Sequence, residues 1–451
     1  MTGRALLAAV LLLPAGARAQ ELPLAAVQRR IDAAAPGDRI DVSPGRYRGE
    51  LIVRQPVHLV GIGRPTLVAG GDRSVVTITA PDVTVEGFDI DGEKRGDLNR
   101  DASGVLAAAP RSVIRDCRVR NTLFGVYLKD APGSRIERCE IRGIPEKPAG
   151  EKGSGIHVWN TDGFTLIGND IKDVRDGLYI QASPHGTILG NRARDLRYGL
   201  HYMNSDDNTF EDNVFENGDA GTAIMYSRRL TFRHNRFVRN RGFASVGLLL
   251  KSCDEVLAEY NLIANNARGV FIEGSDSVTI RANVIAQSDV ALIVFASASR
   301  TVITGNAFVG NLAPLSLVGR RTDTLVRGNY WSDNDALDLD GDGVTDRPYA
   351  LSTLFDHFRG NLTAADLFAR SLSAAAVSAA EKTFPVLEAA RLSDATPLAH
   401  APALPVPNAA DGRPRMHSSL GWVGAVAACL SGAALLRPMR RRRQWPSKVP
   451  A

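Results

Sequence analysis

GLYIQASPHGTILGNRARDLRYGLHYMNSDDNTFEDNVF (Gly177–Phe215) repeats itself after 22 residues: GLYI is answered by GLHY, and GNRA by DNVF. The second of these columns runs far beyond the stretch. It holds GNDI (Gly168–Ile171), GNRA (Gly190–Ala193), DNVF (Asp212–Phe215), HNRF (His234–Phe237), YNLI (Tyr260–Ile263), ANVI (Ala282–Ile285), GNAF (Gly305–Phe308) and GNYW (Gly328–Trp331). Its asparagines, from Asn169 to Asn329, follow one another at steps of 22, 22, 22, 26, 22, 23 and 23 residues. Upstream, Cys117 and Cys139 stand in the same column, and VTVEGFDI (Val83–Ile90) places Phe88 there. A column of short apolar runs opens each block at Gly155, Gly177, Gly199, Gly247, Gly269 and Ala291.

A fixed period with alternating apolar residues, punctuated by Gly and Asn, is the signature of a solenoid. Each block carries two or three strands too short to bury a face alone, so coils must stack, about 4.8 Å apart. The runs are β-branched or aromatic with period 2 and lack helical spacing, which excludes a helical repeat. The expected fold is all-β: a right-handed, single-stranded parallel β-helix with coils of about 22 residues. A repeated Asn at one turn predicts an inward amide ladder, each Asn near the left-handed region and bonded to its copies above and below.

Working outward, the organisation is as follows. Residues 1–19 read as a secretory signal, with Arg4, an apolar Ala5–Leu13 and a small-residue cleavage site at Ala17-Arg18-Ala19. Residues 20–36 carry Leu24, Val27 and Ile31 at helical spacing, a cap for the open end of the solenoid. The β-helix is expected over 37–349; its first coils, Gly37–Gly63, resemble pectate-lyase-like β-helices. A helical region (350–393), a proline-rich linker (394–415), a candidate membrane anchor (416–439) and a basic tail (440–451) follow. A sorting tail removed later is the rival reading of the last two. The formal charge of +5 comes largely from six basic residues in the last fifteen, Arg437, Arg440–Arg443 and Lys448, so nothing points to a nucleic-acid partner. Four cysteines are too few for a disulfide scaffold. Cys117 and Cys139 are either bridged or stacked thiols, and strand register favours thiols; Cys253 is read on a turn.

Alternation along Gly177–Gln181 turns Leu178 and Ile180 inward and Tyr179 and Gln181 outward. Carried along the stack, this gives outward columns His157/Tyr179/His201/Ala223 and Trp159/Gln181/Met203/Met225. His201, Met203 and Met225 thus fall within about 5–8 Å of one another. Thioether and imidazole together favour Cu(I), although methionines on a sheet face also serve simply as packing. Asp338, Asp340, Asp342 and Asp346 occupy positions 1, 3, 5 and 9 of a Gly-hinged loop, the oxygen-rich half of a calcium loop; Tyr349 stands where an EF-hand needs Glu. Polysaccharide lyase or epimerase chemistry needs clustered carboxylates beside a base. The candidates are Asp206-Asp207 with His185, and Asp173/Asp176 with Arg175; Asp is common at turns for backbone reasons alone.

Asp195–Phe237, with its GLHYMNSDDN, and GNYWSDNDALDLDGDGVTDRPY (Gly328–Tyr349) together resemble the NosD family of nitrous oxide reductase maturation proteins. The similarity covers about Leu22–Pro407. The resemblance implies a periplasmic, non-catalytic accessory protein of denitrification. It implies partnership with an ABC transporter (a NosY-like permease and a NosF-like ATPase), a NosL-like copper chaperone and the reductase, whose copper–sulfur centre they help assemble. Glycan-active β-helices share the ladder but not Tyr202-Met203 with Met225-Tyr226-Ser227. A secreted lyase or epimerase is the alternative.

Overall fold

In a computed structural model the described residues are 21–96, 101–242, 245–319, 323–351, 371, 376 and 392–407. The expected signal, anchor and basic tail, and most of 350–393, lie outside them. The chain divides into two compact units, one within Met1–Asp162 and Asn169–Arg175, the other within Gly163–Gly168 and Asp176–Ala451. Each is right-handed parallel β-helix.

In the first unit, seven short strands from Glu21–Pro23 to Asp170–Lys172 pair in parallel, one per coil. A second wall runs through Val76–Ile78, Ser103–Ala107, Phe124–Lys129 and Ser154–Trp159. The helix Ala25–Asp32 closes the open end. It buries Val27 and Ile31, and Gln28 both donates to the Ile52 carbonyl and accepts from the Ile52 N–H. A side-chain amide thereby occupies hydrogen-bonding groups that an exposed strand edge would leave free.

The second unit repeats the plan. One wall holds Asp176–Gln181, Tyr198–Met203, Ala220–Arg233, Val246–Glu259, Arg268–Glu273, Val290–Phe295 and Ala313–Val318, all parallel. Leu178, Ile180, Leu200, Tyr202, Ile224 and Leu250 point inward and are sealed from solvent. The glycine opening each run is explained by crowding: a Cβ on Gly177, Gly199, Gly221, Gly247 or Gly269 would lie 2.5–2.9 Å from the next coil's carbonyl oxygen.

The amide ladder is present, with one correction. Each Nδ2 from Asn191 to Asn306 donates to Oδ1 of the next asparagine at 2.9–3.0 Å, and Oδ1 also accepts the preceding asparagine's own N–H. The left-handed residue, however, is the one before each Asn: Gly190, Asp212, His234, Tyr260, Ala282, Gly305 and Gly328. Gly, Asp and His suit that backbone, and Tyr260 and Ala282 adopt it as well. The ladder ends on Asp394, which accepts from the N–H groups of Gly328 and Asn329, from Asn329 Nδ2 and from Trp331 Nε1. The linker expected from residue 394 therefore begins with a docked segment. Ser393–Asp394 pairs antiparallel with Tyr349–Ala350, and Leu398 donates to the Asn329 carbonyl. A carboxylate at the last rung satisfies donors that no further coil can reach.

Candidate functional site: an outward histidine–methionine face

The second unit's wall presents three outward columns around the strand Tyr198–Met203. They are Asp176/Tyr198/Ala220, Tyr179/His201/Ala223 and Gln181/Met203/Met225, each in direct register. Met203 and Met225, both partly buried, are therefore next neighbours along the stack, and His201 lies two residues from Met203 on the same strand. Met225 is followed in register by Lys251 and then Glu273, which pair at 3.2 Å. The thioether pair is thus bounded by an amide on one side and a satisfied ion pair on the other.

His201 is held on several sides. Its Nδ1 lies 3.3 Å from Asp176 Oδ2, and the Tyr179 and Tyr198 rings meet it edge-on with centroids at 4.8 and 5.3 Å. Asp176 has no exposed side-chain surface. Arg197 grips it with two hydrogen bonds, Nε at 2.9 Å and a terminal nitrogen at 2.8 Å, while the guanidinium lies over the Tyr198 ring. Burial works against the charged Arg197, but Asp176 outweighs it and holds the guanidinium pKa above its ordinary value. Tyr202, between His201 and Met203 in sequence, points inward. Its hydroxyl donates to the Ser205 carbonyl and accepts from Asn208 Nδ2. The GLHYMNSDDN signature is therefore mixed: Tyr202, Ser205 and Asn208 serve the core, His201 and Met203 the surface.

A family model described as "Periplasmic copper-binding protein (NosD)" matches residues 144–336. A Stutzerimonas stutzeri protein named "Probable ABC transporter binding protein NosD" is 32% identical over 378 residues, covering 79% of this chain and 86% of that one. A Pseudomonas aeruginosa protein of the same name is 32% identical over 422 residues, 88% of this chain and 95% of that one. This chain belongs to the NosD family. Among solved structures, the A-module of the Azotobacter vinelandii mannuronan C-5 epimerase AlgE6 has the same fold, with a TM-score of 0.58 at 17% identity over 68% of this chain and 94% of that one.

His201, Met203 and Met225 all fall inside the segment matched to the NosD model; the aspartate-rich loop lies beyond it. In that loop the carboxylates of Asp338, Asp340 and Asp342 converge to within 4.8 Å. Asp346 does not join them: its Oδ2 accepts the Leu339 N–H. The others also take backbone donors, Asp338 from Gly341 and Gly343, Asp340 from Asp342, and Asp342 from Val344. The loop therefore holds its own shape, with carboxylate lone pairs left over for a cation.

The carboxylates weighed for sugar chemistry are engaged otherwise. Asp207 is clamped by Arg229 through both its oxygens, while His185 lies 3.7 Å away on an exposed turn. Asp206 accepts the Arg228 N–H. Asp176 serves Arg197 and His201. Cys117 and Cys139 are buried free thiols. Cys253 is not on an open turn: it lies inside Val246–Glu259, sealed, in register with Ser227 and accepting no role beyond that of a ladder serine. Sequence reading missed Asp176 as the partner of His201 and Arg197 as the partner of Asp176. Their only signal was register, since Asp176 precedes His201 by one coil plus three residues.

Proposed function

We propose that this NosD-family chain is a periplasmic accessory protein for nitrous oxide reductase maturation, a stiff β-helical platform that receives and passes copper. The observation that carries the reading is the in-register pair Met203 and Met225 beside an oriented His201, in the segment that matches a family described as copper-binding. Two thioethers and an imidazole make a soft, low-coordinate donor set suited to Cu(I) held briefly. Relative affinity then decides the direction of transfer. The relatives' name, an ABC transporter binding protein, supports a platform working beside a permease (NosY-like) and its ATPase (NosF-like). A NosL-like chaperone delivers the metal, and the apo-reductase accepts it for its copper–sulfide centre. Ca²⁺ at Asp338, Asp340 and Asp342 would be a separate, structural ion.

Deletion of the protein is expected to leave reductase that accumulates without its catalytic copper cluster. Replacing Met203 and Met225 together by leucine is expected to reproduce that defect while changing stability by less than about 1.5 kcal/mol, since Met and Leu are nearly isosteric. Full metallation of the reductase in the double variant, or turnover of a polyuronate by the purified chain, would overturn the reading.

A further inference from the structure

We propose that Asp176, held by Arg197, is a positioning residue that fixes His201 with its proton on Nδ1, so that Nε2 is the nitrogen offered to Cu(I). This deepens the copper reading and rests on it.

Four observations converge. First, the fold does not ask for a carboxylate at this place: the residues in register with Asp176 over the next two coils are Tyr198 and Ala220. Second, the carboxylate is fully buried although its neighbours Tyr179, Tyr198 and His201 are partly exposed, and a buried charge persists only where it is paired. Arg197 supplies that pairing by two bonds at 2.8–2.9 Å and is itself braced on Tyr198. Third, Asp176 Oδ2 remains 3.3 Å from His201 Nδ1. A carboxylate accepts only, so a bare Nδ1 lone pair there would be repelled, whereas an Nδ1–H donates. Fourth, the Tyr179 and Tyr198 rings flank the imidazole and oppose its rotation.

Together these make an acceptor–imidazole pair of the kind that orients metal-binding histidines and raises their basicity. Arg197 completes it by holding the carboxylate still. His201 keeps 15% of its side-chain surface exposed, which leaves an approach to the ring.

The test uses the full chain with ¹⁵N-labelled histidine. In the metal-free wild type, long-range ¹H–¹⁵N spectra, with His201 assigned from His201→Gln, are expected to show a protonated Nδ1 and a bare Nε2. Asp176→Asn is expected to lose that preference and to release Cu(I) to bicinchoninate about 10-fold more readily, the lower end of the effect of removing such a partner. Met203→Leu should weaken Cu(I) binding and leave the tautomer untouched, which separates ligand from positioner. A wild-type His201 protonated on Nε2 overturns the proposal, and this readout needs no variant to fold. Unchanged Cu(I) affinity in Asp176→Asn, where the wild type does bind, overturns the positioning role alone. A wild type that takes no Cu(I) overturns the copper reading, and with it the choice of ligand nitrogen, whatever the tautomer.

Discussion

Asn213, Asn235 and Asn261 occupy one inward column of the second unit; Tyr179, His201 and Ala223 occupy one outward column, cut from the same 22-residue period. From Asn191 to Asn329 the inward column holds a single residue type because each amide completes its neighbours' bonding. Asn235 alone donates to Asn261 Oδ1 and to the Phe210 and Arg233 carbonyls, and it accepts from Asn213 N–H and Nδ2. Outward columns are indifferent: further along, Leu249, Phe271, Ile293 and Ser316 succeed one another in register. Repetition marks what the coil needs. A local departure from indifference, such as a buried Asp or two stacked methionines, marks what the coil does not need.

The sharpest way to break this contrast is inside. Asn235→Leu is expected to cost about 3–5 kcal/mol or more, because it strands several buried donors and acceptors at about 1–3 kcal/mol each. Urea unfolding of the purified chain measures it. A loss under 1 kcal/mol would mean the ladder is decorative. Next comes the end of the same column. Asp394→Ala removes the acceptor for Gly328, Asn329 and Trp331 and is expected to cost about 2–4 kcal/mol. In a repeat fold that loss is local, so amide exchange at Gly328 and Asn329 should quicken while Asn213 stays protected.

What could be read before any coordinates follows the same division. The β-helix, the Asn column and the inward–outward alternation of Leu178 to Gln181 were legible because each recurs, and recurrence averages out local accident. The terminal Asp394 was not, since it closes the ladder once, 65 residues beyond Asn329, from a proline-rich stretch that reads as linker. Cys253 was misplaced on a turn because its strand runs unbroken for 14 residues through that corner. The register of His201, Met203 and Met225 was legible from column arithmetic. Asp176 escaped because it reaches His201 diagonally, a contact that depends on side-chain direction rather than spacing, and Arg197 escaped with it because it acts on Asp176.

Charge gives a third, intermediate probe. Glu259 is almost fully buried between Arg233 and Arg281; burial pushes its carboxyl up, but the two guanidinium groups prevail and hold it below 4.5. A carboxylate depressed in the folded state contributes stability that is complete above its unfolded pKa and disappears as pH falls through the folded one. Wild type is therefore expected to lose stability below about pH 4.5, and Glu259→Gln, already weaker at neutrality, to lose less over that interval. Parallel acid titrations of the two would expose an error in the sign. The aspartate loop is a milder case: with a millimolar site, 10 mM Ca²⁺ should stabilise the chain by about 1.4 kcal/mol, and Asp340→Asn should abolish the gain. A melting temperature indifferent to calcium leaves a loop held by its own backbone bonds.

The smallest expected effect is the most pointed. Ala182, Asn204, Tyr226 and Ser252 all have φ between +50° and +54° and share one corner of successive coils, with Gly274 at +58° beyond them. Left-handed backbone suits Gly or Asn and disfavours a bulky ring. Tyr226 breaks that rule, stands beside Met225, and leaves 54% of its surface exposed, so its ring repays little of the strain through burial. Tyr226→Asn is therefore expected to stabilise the chain by about 0.5–1 kcal/mol. Urea unfolding of wild type and variant side by side measures the gain. Destabilisation by Tyr226→Asn would show that the ring packs after all, and would return this corner to the indifferent face.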